Sequence, residues 1–290
     1  MVVFVDKVEF PEGPVVLQDG SLLIVEMSPQ TGCVTHISAD GASRRVVAKT
    51  GRPNGLAMDR DGNIWVAETH QKALLRISSD GHCETVATSC EGKRFTFLND
   101  LAFGPHGDLY LTDSGIEIEE AAPNGELNPN YRNLDYDGRV YRVDIRTGAT
   151  ELVDKGIQFT NGVAVDAEGH LYVNETLSGA VYKYKCEDGL VVGDRALFAN
   201  VIEHFNPDEF KGPDGMKFAS DGSLYACVFG EGAVAVVDRG GAVCDRLAVE
   251  GSMPTNLAYG AQRKKWFVTE VETGTVQLLD APSGGLPLYS

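Results

Sequence analysis

The stretch Arg52-Pro-Asn-Gly-Leu-Ala-Met-Asp-Arg-Asp-Gly-Asn-Ile-Trp-Val-Ala-Glu68 decides the fold. Two apolar runs flank Arg60-Asp61-Gly62, a turn whose glycine supplies the positive φ that a tight hairpin demands, so the stretch reads as a pair of antiparallel strands. Ser79-Asp80-Gly81 repeats the turn chemistry further on, and four short strands are expected at 55–59, 64–68, 74–78 and 84–88. Sustained helical periodicity is absent.

Working outward, the second strand of this unit recurs along the chain. Gly20-Ser-Leu-Leu-Ile-Val25, Gly62-Asn-Ile-Trp-Val66, Gly107-Asp-Leu-Tyr-Leu111, Gly169-His-Leu-Tyr-Val173 and Gly222-Ser-Leu-Tyr-Ala226 share the pattern, and Lys264-Lys-Trp-Phe-Val268 keeps the run without the glycine. A carboxylate or carboxamide stands eight residues before each: Glu12, Asn54, Asn99, Asn161, Asp214 and Asn256. Successive intervals of 42, 45, 62, 53 and 42 residues between these anchors match the length of a four-stranded propeller blade. The expected architecture is therefore an all-β, six-bladed β-propeller, a single domain over 1–290 with four-stranded antiparallel blades around a central channel. Residues 2–8 and about 286–289 each read as a short strand, so the terminal segments are expected to close the ring.

This strand order sorts polar residues by end. The start of the innermost strand and the turn between the second and third strands face one end of the channel, so the six anchors ring its mouth. Glu26, Glu68, Thr69, His70, Asp113, Ser114, Glu175, Thr176, Glu231, Glu270 and Glu272 face the same end. Only His70 and His204, of six histidines, are directed there. Residues 115–138 separate the second and third strands of blade 3, which places this insertion over the mouth as a lid.

A ring of two carboxylates and several carboxamides, with no thiolate and no obligatory imidazole, has the donor chemistry of a hard-cation site. One divalent cation is expected; calcium suits the donors best, with zinc, manganese, magnesium and iron(II) left open. The six cysteines form no C-x2-C pair and no Cys/His cluster, so they read as reduced and mostly buried.

Composition bounds the partners. A 290-residue chain with 43% hydrophobic and 23% charged residues is ordinary globular material. Its formal charge of −17 disfavours nucleic acid and anionic membrane as partners, leaving a small-molecule substrate. No apolar run approaches the roughly 18 residues of a spanning helix, and the first residues lack signal-peptide character, so a cytoplasmic location is expected. The oligomeric state is open.

The anchors in their local context, Phe10-Pro-Glu-Gly-Pro14, Arg52-Pro-Asn-Gly-Leu-Ala57, Leu98-Asn-Asp100, Thr160-Asn-Gly-Val-Ala164, Gly212-Pro-Asp-Gly-Met216 and Pro254-Thr-Asn256, resemble the SMP-30/gluconolactonase/luciferin-regenerating-enzyme-like family over nearly the whole chain. That resemblance implies a metal-dependent hydrolase opening a lactone or related cyclic ester, or an organophosphate in one branch. It implies that Glu12, Asn161 and Asp214 hold the cation, with Asn99 as a further ligand or substrate contact. Asp100 would lie behind them and Asn54 beside the site. His70, Asp113 and His204 are further candidates at the mouth.

Two departures bear on the substrate. Sugar-acid lactonases of this type commonly carry an Arg two residues before the blade-3 Asn, where this chain has Phe97, and Val271 replaces the mouth histidine of the organophosphatase branch. These departures count against a heavily hydroxylated aldonolactone and against an organophosphate, and leave a sugar-acid lactone and a less hydroxylated lactone or ester both open. Asp214 and Asn99 are the catalytic candidates, Asp214 as general base, because calcium acidifies water less than zinc does and a carboxylate must take the proton. The alternatives are a non-catalytic binding propeller and a metal-dependent lyase with a mouth histidine. Tyr110-Leu-Thr-Asp-Ser114 also looks like strictosidine-synthase-type propellers.

Overall fold

In a computed structural model, which describes residues 2–287, the four-strand unit is built six times. Strands a to d of blade 1 are Pro11–Val16, Leu22–Glu26, Cys33–Ile37 and Arg44–Lys49. Blade 2 has Pro53–Met58, Ile64–Glu68, Ala73–Ile77 and Cys83–Ala87. Blade 3 has Leu98–Phe103, Leu109–Asp113, Gly138–Asp144 and Ala149–Ile157. Blade 4 has Thr160–Val165, Leu171–Glu175, Ala180–Tyr184 and Ala196–Asn200, and blade 5 has Gly212–Phe218, Leu224–Phe229, Ala233–Val237 and Val243–Ala248. Blade 6 runs Pro254–Gly260, Lys265–Glu270 and Thr275–Leu279.

The missing strand of blade 6 comes from the other end of the chain. Val2–Val5 pairs antiparallel with Thr275–Leu279, and Phe4 meets Phe267 edge to face at 5.0 Å. Each strand a touches the strand a of the blades on either side, blade 6 against blade 1 included, so the ring is closed. Of the strand expected at about 286–289, residues 286–287 are irregular, and 288–289 lie outside the described residues. Instead Gly285 bridges Ala219, and Leu286 and Pro287 line, with Pro14, Met58, Ala102 and Lys217, the cavity at the far end of the channel.

The core is a series of clusters between blades rather than one centre. Trp65, Leu74, Phe95 and Tyr141 fill the space between blades 2 and 3; Tyr225 stacks on Trp266 between blades 5 and 6 at 4.9 Å. Alternating inward and outward side chains on a twisted sheet leave two apolar faces, and stacking blades buries both. The a–b turn glycines sit at φ between 81° and 85°, and Lys264 adopts φ 53° at the blade-6 position that lacks one. The backbone there imposes the left-handed turn on a residue that resists it.

The lid is folded. Ile118–Ala121 forms one helical turn, and Ile116, Ile118 and Ala121 are buried with Phe97. Arg132 reaches from this segment to three backbone carbonyls, those of Pro207 (2.7 Å), Leu177 (3.2 Å) and Glu209 (3.2 Å). Among the described residues no helix is long and apolar enough to cross a membrane.

Candidate functional site

Each anchor sits on strand a, and in all six blades the pairing of strand a with strand b slips at that point, as between Pro53 and Leu56 or Thr160 and Val163. Such a bulge re-aims a side chain out of the ladder. Asn-Gly and Asp-Gly at these positions are therefore not the turns that the dipeptides suggest. Their glycines serve close packing around the axis: a Cβ on Gly162 would stand 2.2 Å from the Asp214 carbonyl oxygen, and one on Gly55 2.8 Å from that of Asn99.

A second device fixes the anchors' orientation. Thr69, Ser114 and Thr176, each just after the end of strand b, donate their hydroxyls to the next blade, to the carbonyls of Leu98 (2.9 Å), Thr160 (2.9 Å) and Pro213 (2.9 Å). Every acceptor is the residue before an anchor. Thr255 does the same from blade 6 to Pro11, ahead of Glu12. Ser114 and Thr176 in turn accept from the amides of Asn99 (3.1 Å) and Asn161 (3.2 Å). A hydroxyl whose proton is committed to a carbonyl can only accept from the amide, so each carboxamide offers its nitrogen to the hydroxyl and its oxygen elsewhere.

Glu12, Asn54, Asn99, Asn161 and Asp214 converge on one cavity at the mouth, with about 970 Å³ of free space counted out to solvent. Asn256, the sixth anchor, is turned aside; its oxygen accepts from Leu257 N (2.9 Å) and Lys217 Nζ (3.4 Å). Burial raises Glu12 well above the usual carboxylate range, with repulsion from Asp100 and Asp214 adding and Asn256 and Lys217 opposing. Asp214 is raised in the same direction, first by burial and then by Asp100, against a hydrogen bond from Asn161.

Oxygen donors for a cation are present in this arrangement. Glu12 Oε2 and Asn161 Oδ1 are buried without a hydrogen-bond partner. Three carboxylates (Glu12, Asp100, Asp214) face a single ammonium, Lys217, 3.8 Å from Asp100, which leaves a net charge of about two negatives when all are ionised. Among the described residues no group of three or more His, Cys, Asp or Glu stands together as a metal cluster, so carboxamide oxygens must complete any coordination. All-oxygen donors and a doubly negative shell fit a hard divalent cation.

Other candidates are placed differently. Asp100 is buried behind the ring, accepting from Leu101 N (2.8 Å) and Val163 N (3.3 Å). Asp113 does not reach the cavity; its carboxylate brackets the start of its own strand a through Thr96 N (2.8 Å) and Phe97 N (3.0 Å). Glu26, Glu68, Glu175 and Glu270 bracket their blades in the same way. An acid at the end of strand b is thus a blade clamp, which sequence position alone cannot separate from a site residue. Blade 5 has Val228 there instead, and the next residue, Phe229, lines the cavity. His70 and His204 are exposed and do not line it.

The walls were less legible. Phe97, Phe159, Phe210 and Phe229 form an edge-to-face chain with centroid separations of 5.7, 6.3 and 5.8 Å. Phe10, Met27, Ile118, Leu127, Met253 and Val271 complete an apolar rim. Phe10 (φ 51°) and Phe159 (φ 64°), each two residues before an anchor, hold the left-handed backbone conformation that bulky residues avoid. The signal was an aromatic two residues before an anchor in blades 1, 3 and 4. Lys217 and Asn174, which donates to the Asp214 carbonyl, carried no signal beyond being polar in an apolar strand.

Residues 10–272 match the SMP-30/Gluconolactonase/LRE-like region. The chain belongs to that family. Among its curated relatives are a gluconolactonase of Zymomonas mobilis subsp. mobilis, 24% identical over 288 residues (92% of this chain, 78% of that one), and diisopropyl-fluorophosphatase of Loligo vulgaris, 28% identical over 296 residues (96% and 91%). In fold, this SMP-30/gluconolactonase/LRE-like chain superposes on the calcium-binding protein regucalcin of Agrobacterium tumefaciens with a TM-score of 0.77 at 18% identity, covering 100% of this chain and 99% of that one.

Proposed function

We propose that the protein is a divalent-cation-dependent hydrolase that opens a lactone or a related cyclic ester. The observation that carries this reading is the ring of side-chain oxygens, with the carboxamides of Asn99 and Asn161 oriented by Ser114 and Thr176, at the floor of a cavity large enough for a small organic substrate. The hydrolase names of the curated relatives support it.

Glu12, Asn99, Asn161 and Asp214 would hold the cation, with calcium favoured by the all-oxygen donors and by the calcium-binding relative in fold. Bound there, such a cation would supply Lewis-acid chemistry, polarising an ester carbonyl and offsetting the negative charge that develops on its oxygen. Asp214 keeps a partly exposed edge toward the cavity, which places its carboxylate where it could take a proton from the attacking water. The neutral amides of Asn99 and Asn161 add ligands without adding charge. Asp100 and Lys217 lie behind the ring and set the field there, while the phenylalanine walls exclude water from the reacting groups.

A neutral phosphotriester is the second reading, favoured by the apolar walls and the 28% identity to diisopropyl-fluorophosphatase. No histidine lines the cavity among the described residues, which removes the feature that favoured a lyase.

Metal analysis of the purified protein, followed by a panel of lactones and phosphotriesters read with a pH indicator, tests the proposal. Chelation should abolish turnover and calcium should restore it. Asp214→Asn, which keeps shape and removes one ring charge, should lose both stoichiometric metal and at least about a hundredfold in kcat/KM. Full turnover by chelated protein would overturn the reading.

A further inference from the structure

Among the described residues, one cationic side chain lines the walls of the mouth. Arg52 lines the cavity beside Asn54, two residues before that anchor, with Cζ 5.8 Å from the centroid of the Phe97 ring. The remaining charged residues that line it are Glu12 and Asp214, on the floor. Burial lowers the guanidinium's pKa, with Glu119 and Glu68 opposing, yet among the described residues no carboxylate stands within ion-pair distance of it. Glu68 is committed elsewhere, to the backbone N–H groups of Arg52 and Gln71. Glu119 is an exposed lid residue across the neighbouring groove, which Arg52 also lines.

A half-buried, unpaired guanidinium against an aromatic ring is expensive to keep, and its five donors in a planar fork match a carboxylate or similar oxyanion. The cavity around it is apolar on nearly every other wall. A polyhydroxylated sugar acid would leave its hydroxyls unpaired among Phe97, Phe159, Phe210 and Phe229, whereas an alkyl or aryl chain would bury against them.

We propose that the mouth selects a lipophilic substrate carrying one anionic group, an aryl- or alkyl-substituted lactone with a carboxylate, whose chain lies on the phenylalanine belt and whose anion is held by Arg52. This rests on the hydrolase reading for the word lactone; the recognition itself does not. Arg52 is then a specificity-determining residue, standing on the wall of the cavity opposite in charge to its floor. Placing the anion there keeps it away from Asp214 and leaves the ester carbonyl for the ring.

Calorimetric binding of 4-phenylbutyrate and of the uncharged 4-phenyl-1-butanol to the calcium-loaded protein tests it without any turnover. The carboxylate should bind about tenfold tighter or more, and Arg52→Met should shrink that preference to about twofold or less while leaving the alcohol's affinity near its original value. Glu119→Gln should keep the preference. Equal affinity of the two probes overturns the proposal. So does a preference that survives in Arg52→Met, because the ring cation and not Arg52 would then hold the anion; so does equal loss of both probes, because Arg52 would then be a lid support. The hydrolase reading is separated by kcat/KM for a δ-lactone with a carboxylate-ended side chain against its methyl-ended counterpart. Arg52-dependent binding without hydrolysis of either leaves the recognition standing and the hydrolase reading lost; hydrolysis of both at equal kcat/KM, with equal probe binding, does the reverse.

Discussion

Thr176 shows how a single hydroxyl controls what the ring offers. It donates to Pro213 and accepts from Asn161, so the amide nitrogen is spoken for and Oδ1 remains for a ligand. Thr176→Val removes the acceptor and frees the amide to rotate. Affinity for calcium, measured by titration of chelated protein, should fall about tenfold, in the range usual for losing a group that orients a metal ligand. Thr176→Ser keeps the hydroxyl and should retain most of the affinity. If the valine variant binds calcium as tightly as the parent, the hydroxyl orients nothing that matters. Cys227 illustrates the contrasting case: burial, then Asp214 and Glu12, raise its thiol well above the ordinary range, so it acts as core and not as a nucleophile.

At the scale of elements, the insertion in blade 3 is held in two ways. Its Ile116, Ile118 and Ala121 are buried with Phe97, and Arg132 ties its far side to carbonyls on the opposite wall of the mouth. Shortening 115–138 would uncover Phe97 and Phe159, so a stability cost is built into that experiment. Arg132→Ala is cleaner. It should speed amide exchange across 115–138 and flatten the kcat/KM preference among lactones, while Tm moves by only a few degrees, since a loop bonded through a partly exposed side chain adds little to global stability. Unaltered exchange would mean that the apolar cluster alone holds the insertion in place.

Elements were also where the sequence was most legible. The constant offset of eight between anchor and second strand located every strand a and b, because both flank one tight turn whose length does not vary. The site's floor followed, since a residue at the start of an innermost strand has one place to be. The walls did not follow, because Phe210 and Phe229 come from a loop and from a strand end that the repeat does not constrain. Nor did the difference between Asp113 and Asp214, two acids at the same end of the channel. Only three-dimensional bracketing to Thr96 and Phe97 separates them.

For the molecule as a whole, closure depends on four residues. Val2–Val5 completes blade 6, buries Val5 and sets Phe4 against Phe267. Deleting residues 1–8 would expose the edge of Thr275–Leu279 and remove several apolar side chains from the interface. A loss of several kcal/mol is expected, lowering Tm by on the order of 10 °C in a single cooperative transition. Two separable transitions would mean that the six blades do not melt as one unit. The same pairing sets an order in time. Val2–Val5 leaves the ribosome about 270 residues ahead of its partner, Thr275–Leu279. While the five intervening blades and the rest of the sixth are being made, Val2–Val5 is an unpaired edge beside a ring that cannot yet shut, and any chaperone that shields this chain has its longest task at that strand.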